Sequence, residues 1–322
     1  MPQSDQMPSF DYAIFGSNLL SGFLAGILAA EHGKKVVRVG RRPSARRLPR
    51  QLDLALPFSA RPETWDLVSR TAAETHKLLL GMGAPEGWSA TDVAWLADSA
   101  ATTSDVDHAI HLAHGIGHQV ARLDKGWALR RVPLLHPEFL GDTMAKWLSE
   151  SGVVSQDEGP ADAAQMVLAD DVAIAEQLPA GLATQAMTAT LLAAPRALPF
   201  PLDYFPDRGV TLLRRPGNAV LALVSGESEI EARLASTLSG PFPLKRLATT
   251  RYRRVITDGA PMIGRMGEIF VIAGLGEPAA FLAPPLARLL AGSSEGRERD
   301  WFATHDPAQP RDAVADLRTV VA

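Results

Sequence analysis

From Phe10 to Arg42 the chain reads FDYAIFGSNLLSGFLAGILAAEHGKKVVRVGRR. This is the outline of a strand, a tight turn, a helix and a second strand, the unit that sets a dinucleotide pyrophosphate against a helix N-terminus. In such a turn the glycines of G-x-G-x-x-G let backbone N–H groups close on the phosphates. Here the three positions are Gly16, Asn18 and Ser21, with Ser17 and Leu20 between them. Asn18 tolerates left-handed backbone and donates through its amide. Ser21 exchanges close helix–strand packing for a hydroxyl, and Gly22, one residue later, partly compensates. A carboxylate at the end of the second strand would receive the ribose hydroxyls, but Gly40 stands there, followed by Arg41 and Arg42. A basic pair after a missing acid also suits a 2′-phosphate, so NADP stays open as a ligand of the same groove.

Two further clusters have the right residue types for chemistry. Residues 41–50, RRPSARRLPR, hold five arginines and two prolines. They read as a loop, either solvated or wrapped toward phosphate oxygens, which guanidinium groups bind bidentately. His108, His111, His114 and His118 lie near Asp105 and Asp107. If one helix carries them, the last three fall within roughly 60° of each other, and two histidines at i and i+4 can hold a divalent metal. No acid–base partner of the E-x-x-H type accompanies them, so no metal is assigned, and a pH-sensitive or partner-facing surface is the alternative.

The chain has 322 residues, 46% hydrophobic and 21% charged, enough for one large α/β domain or two interleaved ones. A net charge of -4 points to neither nucleic acid nor a polybasic membrane surface. The absence of cysteine excludes disulfides, thiolate nucleophiles, Cys-ligated zinc, iron–sulfur clusters and cysteinyl flavin links, and agrees with a cytoplasmic location. Residues 12–30 carry no charge, but they contain Gly16, Ser17, Asn18, Ser21, Gly22 and Gly26 and are preceded by Asp5 and Asp11 instead of Lys or Arg, so a buried strand and helix explain them. There is no G-x-S-x-G and no Walker motif, which leaves hydrolase and NTPase readings without support.

The elements that must position these residues follow from periodicity. Residues 11–15 and 35–39 read as strands around a helix at 19–31. Helices are expected at 63–82, 105–121, 137–151, 227–238 and 281–291. Strands are expected at 166–174, 189–194 and 269–273, a hairpin at 210–215 and 218–224 around Pro216-Gly217, and an extended basic segment at 244–257. Strand–turn–helix units at both ends, with helices and antiparallel strands between, imply a nucleotide domain built from both ends of the chain.

The most specific text is residues 253–292, RRVITDGAPMIGRMGEIFVIAGLGEPAAFLAPPLARLLAG. It resembles the closing motif of the D-amino-acid oxidase/glycine oxidase group of FAD-dependent oxidoreductases. Asp258, Gly259, Pro261, Ile263 and Gly264 match its first part, and Ala273, Gly274, Ala283 and Pro284 its second. Residues 136–152 resemble the helix before the strand that reaches back to the adenosine. The first βαβ also resembles that of the Rab GDP-dissociation-inhibitor branch. The likeness is close at the two ends and in the middle extends only to the order of elements.

The resemblance implies an α/β fold, a Rossmann-like FAD-binding domain (8–55, 132–180 and 250–295) with an interleaved smaller α+β substrate domain of antiparallel sheet (56–131 and 181–249), and a tail at 296–322. It implies FAD as cofactor, held by Gly16, Ser17, Asn18, Leu20, Ser21, Gly40, Arg41, Arg42, Gly264, Gly274, Leu275, Gly276, Ala279 and Phe281. It also implies oxidation of a small amine or amino acid by hydride transfer to the flavin. Arg253, five residues before Asp258, would clamp a substrate carboxylate beside Tyr252, although the family's following proline is replaced by Arg254. Asn18, Gly40, Asp170 (where the family ends a strand in Ala-Gly) and Ala279 (preceded by Pro278) all depart at presumed cofactor contacts. A flavoprotein-fold accessory subunit with weakened or lost FAD binding, acting through a partner protein, is therefore the alternative.

Overall fold

A buried parallel strand reads as a short apolar run, and the run ending at Gly16 is the centre of the first sheet. The computed structural model describes residues 9–42, 47–57, 61–177, 182–193, 198–238, 245–257 and 260–309. In chain order these form β1 (Phe10–Phe15), α1 (Leu19–Ala30), β2 (Val36–Val39), β3 (Asp53–Leu54), α2 (Pro62–Met82), β4 (Trp88–Leu96), α3 (Ala100–Gly115), β5 (Val120–Leu123) and β6 (Gly126–Leu135). Then come α4 (Pro137–Glu150), β7 (Val154–Gln156), β8 (Ala163–Leu168), α5 (Asp171–Gln177), β9 (Thr184–Ala193), β10 (Leu202–Phe205), β11 (Val210–Arg215) and β12 (Ala219–Ser225). The chain closes with α6 (Ile230–Thr237), β13 (Lys245–Val255), β14 (Met262–Met266), β15 (Ile269–Ala273), α7 (Ala283–Leu290) and α8 (Gly296–Ala303).

One sheet runs β14-β15-β8-β1-β2-β7, parallel except for β14. Strands from both ends of the sequence thus share it, as the resemblance implies. The second runs β13-β9-β12-β11-β10-β4-β6-β3, with β5 on β6, and is antiparallel apart from the β10–β4 pair. Helix α1 is buried from Leu19 to Leu28 between the first sheet and α4 and α7, which explains its uncharged sequence without a membrane. Each large apolar side chain so buried contributes about 1.5–3 kcal/mol. Among the described residues no helix is long and apolar enough to cross a membrane.

Several sequence expectations need correction. The helix expected at 105–121 starts after the Ser99 cap and ends at Gly115, because Gly117 takes a left-handed backbone at φ +94 and the chain leaves for β5. The strand expected at 166–174 stops at Leu168; Asp170 then accepts the Val172 N–H at 3.0 Å and caps α5. Gly22 gives no closeness to the strand: a Cβ there would meet the Met144 sulfur of α4 at 2.3 Å. Residues 296–303, expected as tail, form α8, whose Trp301 and Phe302 enter the main core. Asp258 and Gly259 lie outside the described residues.

Candidate functional site

The turn after β1 is built by close backbone approach. A Cβ on Gly16 would lie 2.8 Å from the Ser21 Cβ, and one on Gly40 would lie 2.1 Å from the Gly16 carbonyl oxygen. Gly40 is therefore needed where β2 crosses the turn, whatever else its missing carboxylate means. Beneath them the Arg38 side chain is 1% exposed and donates to the carbonyls of Gly16 (3.0 Å), Gly40 (3.0 Å) and Arg41 (3.2 Å). Burial lowers its pKa to about 10, with Asp170 opposing that change.

The departures from the glycine pattern are satisfied internally. Asn18 is extended (φ -94, ψ 176), not left-handed, and caps α1: its Oδ1 accepts the Ser21 N–H at 3.0 Å, while Nδ2 donates to the Ala169 carbonyl at 3.0 Å. The Ser21 hydroxyl donates to the Asn18 carbonyl at 2.9 Å. The Ser17 N–H donates to Asp170 Oδ2 at 2.8 Å, and the Ser17 hydroxyl accepts the Arg41 N–H at 3.1 Å.

A cavity of about 170 Å³ opens beside this turn, lined by Ser17, Asn18, Arg41, Asp53, Asp170 and Arg254 among others. Carboxylates crowd it. Burial, then the charges of Asp170 and Glu277, push Asp53 up to about 7 against a hydrogen bond from Gln51. Burial pushes Asp171 up to about 6, opposed by the Gly274 N–H at 2.9 Å and by Arg254 and reinforced by Asp170 and Glu277. Burial also raises Glu277, with Arg254 opposing. At the rim, burial pushes Glu138 up, but His136, its own N–H and Arg215 bring it down to about 2.

The cavity's inner cation is Arg254, 9% exposed, with Nη2 donating to Gln185 Oε1 at 3.2 Å and no protein partner for Nε among the described residues. The family resemblance points to Arg253 instead. Alternation along β13 turns Arg253 outward to Thr184 Oγ1 (3.0 Å) and Glu227 (3.5 Å), and Arg254 inward. Tyr252 also points inward, donates to the Arg50 carbonyl, and is pushed up to about 12 by burial.

Of the expected cofactor residues, Ser17, Asn18 and Arg41 reach the cavity, with Gly16, Ser21 and Gly40 shaping the turn. Gly274 reaches it through Asp171, and the Gly276 carbonyl accepts from Gln51 at 3.5 Å. Arg42 is exposed. Leu20, Leu275, Ala279 and Phe281 belong to the hydrophobic core instead. Gly264 packs on the C-terminal segment, where a Cβ would meet Pro307 at 2.6 Å. The histidines do not converge either: His108, His111 and His114 are exposed on α3, while His118 lies beyond it, edge-on to Trp65. Sequence reasoning missed Asp53, Glu277, Glu138 and Arg215. Asp53 left a signal, one carboxylate within the apolar run Leu52–Leu56.

The backbone of the turn has the shape a dinucleotide needs: Gly16 and Gly40 in close approach, a capped helix N-terminus and a buried cation beneath. One side chain stands against the fit, since the Asp170 carboxylate occupies the Ser17 N–H that a pyrophosphate oxygen would take.

No family model matches the chain, and no curated protein matches it in sequence. Solved structures match over nearly its whole length. Glycine oxidase from Geobacillus kaustophilus superposes with a TM-score of 0.66 at 17% identity, covering 89% of this chain and 95% of that one. L-proline dehydrogenase from P. horikoshii gives 0.67 at 13% identity, covering 91% and 96%. L-amino acid deaminase from Proteus vulgaris, without its specific insertion, gives 0.65 at 14% identity, covering 91% and 92%. The chain has the fold of the D-amino-acid oxidase/glycine oxidase group of FAD-dependent oxidoreductases.

Proposed function

We propose that this protein is an FAD-dependent oxidoreductase acting on a small amine or amino acid. The observation that carries the reading is Arg254, a buried guanidinium whose Nε has no protein partner among the described residues, in the same cavity as the dinucleotide turn. Bound there, FAD supplies the acceptor for a hydride from the carbon bearing the amine. Gly16, Ser17 and the N-terminus of α1 would hold its pyrophosphate, and Arg41 stands beside them. Arg254 binds and orients a substrate carboxylate through Nε, a charge-assisted contact inside a sheltered site. Asp53, with a pKa near neutrality, accepts the ammonium proton at its carboxylate before the carbon is oxidised.

The test is a spectrum followed by a panel. Protein loaded with FAD is mixed anaerobically with amines and amino acids, and one class should bleach the flavin absorbance. Arg254→Leu should raise KM for carboxylate-bearing substrates by about 100-fold while sparing simple amines, since a charge-assisted pair contributes about 3 kcal/mol. If no substrate reduces the flavin, the oxidoreductase reading fails. The Asp170–Ser17 contact favours a second reading, a flavoprotein-fold accessory subunit working through a partner. Protein that stays colourless and gains no thermal stability with excess FAD would establish that reading in place of the first.

A further inference from the structure

Asp170 is 7% exposed and lies between two helix N-termini. Its Oδ2 accepts the Ser17 N–H at 2.8 Å and its Oδ1 the Val172 N–H at 3.0 Å. The residue before it is fastened to the same turn, the Ala169 carbonyl accepting from the Asn18 amide at 3.0 Å. Below lies the guanidinium of Arg38, whose Nε has no partner among the described residues. A helix N-terminus, close-packed glycines and a buried cation together form an anion site, and the anion in it is the protein's own.

We propose that Asp170 is an internal stand-in for the dinucleotide pyrophosphate, so that FAD enters this cleft only by displacing its carboxylate from Ser17. The inference rests on FAD being the ligand of this fold here. Both anions need one N–H and cannot share it, because like charges at that distance repel in a sheltered site. Binding is therefore a competition, and the chain holds FAD more weakly than its turn geometry alone would allow. Removing the carboxylate takes away the stronger of the two acidic charges acting on Arg38, the other being Asp157, which favours the phosphate further.

The experiment is titration of FAD by flavin fluorescence, with no substrate present. Asp170→Ala should tighten FAD binding at least tenfold and lower the melting temperature without FAD, because Ser17 and Val172 lose their acceptor. Added FAD should then restore more stability to the variant than to the parent protein. Should Asp170→Ala fail to fold, Asp170→Asn keeps the shape of the cap without its charge, and should tighten binding several-fold. Asp207→Asn removes a carboxylate outside this cleft that caps α3, accepting the Ser99 N–H at 3.1 Å, and should leave the affinity within about twofold. The proposal is overturned if the parent protein already binds FAD as tightly as the Asp170 variants. It is equally overturned if Asp207→Asn produces the same gain. A variant that binds FAD tightly yet is bleached by no amine keeps this inference and removes the proposed activity.

Discussion

Asp53→Asn separates the energetics of the cavity from its chemistry. Asp53 is 3% exposed, within hydrogen-bonding distance of Gln51 Nε2 at 3.2 Å, and faces the charges of Asp170 and Glu277. Its carboxyl rises from 3.8 in the unfolded chain to about 7 in the folded protein. The folded state therefore binds this proton more tightly than the unfolded state. Below pH 3.8 both states are protonated and the group makes no difference; as pH rises toward 7 the unfolded chain ionises first, and stability falls. Above the folded pKa the loss is complete. At about 1.36 kcal/mol per tenfold, the gap corresponds to about 4 kcal/mol, and water reaching the cavity reduces this to about 2–4 kcal/mol. Asparagine keeps the shape and the Gln51 contact but carries no charge. Urea unfolding should find Asp53→Asn more stable than the parent protein by about 2–4 kcal/mol at pH 8.5, and by about 1 kcal/mol or less at pH 4.5. A difference that is the same at both pH values would refute the ionisation argument. So would one that grows toward acid. If the proposed chemistry also holds, the same variant loses the limb of the rate profile near neutrality while still binding FAD.

Two further substitutions probe the frame that positions the site. Gly40→Ala places a methyl group 2.1 Å from the Gly16 carbonyl oxygen at φ +146, so the protein should lose about 3 kcal/mol or more, read as a fall in urea midpoint or as insoluble expression. Trp301→Ala removes a side chain that is 6% exposed and whose Nε1 donates to Thr64 Oγ1 at 2.9 Å. It should cost about 3–5 kcal/mol in chemical denaturation, and an effect below about 1 kcal/mol would show that α8 is not part of the core.

How far the sequence revealed this site depends on how local each feature is. The β1 turn and α1 were legible because Gly16, the cap at Asn18 and the apolar run after it lie within a few residues of one another. The choice between Arg253 and Arg254 was not legible, since it depends on the phase of an eleven-residue strand relative to β9, and one residue reverses the face. Motif position points Phe281 and Ala279 toward the cofactor, yet the short turn of helix at Ala279–Leu282 buries them in the core, where Phe281 meets Trp88 edge-on. Asp170 shows the limit most clearly. Read along the chain, it is one of several departures from a glycine-rich pattern. In the fold, the parallel register of Phe15 with Leu168 brings the end of β8 onto the first turn, so that Asn18 binds Ala169 and Asp170 binds Ser17. An asparagine in place of glycine and an aspartate at the end of β8 then form a single arrangement, because each satisfies donors or acceptors that a phosphate-binding turn would leave for its ligand. What reads in the sequence as scattered loss is, in the structure, one built contact across the turn, and the proposed competition with FAD rests on it.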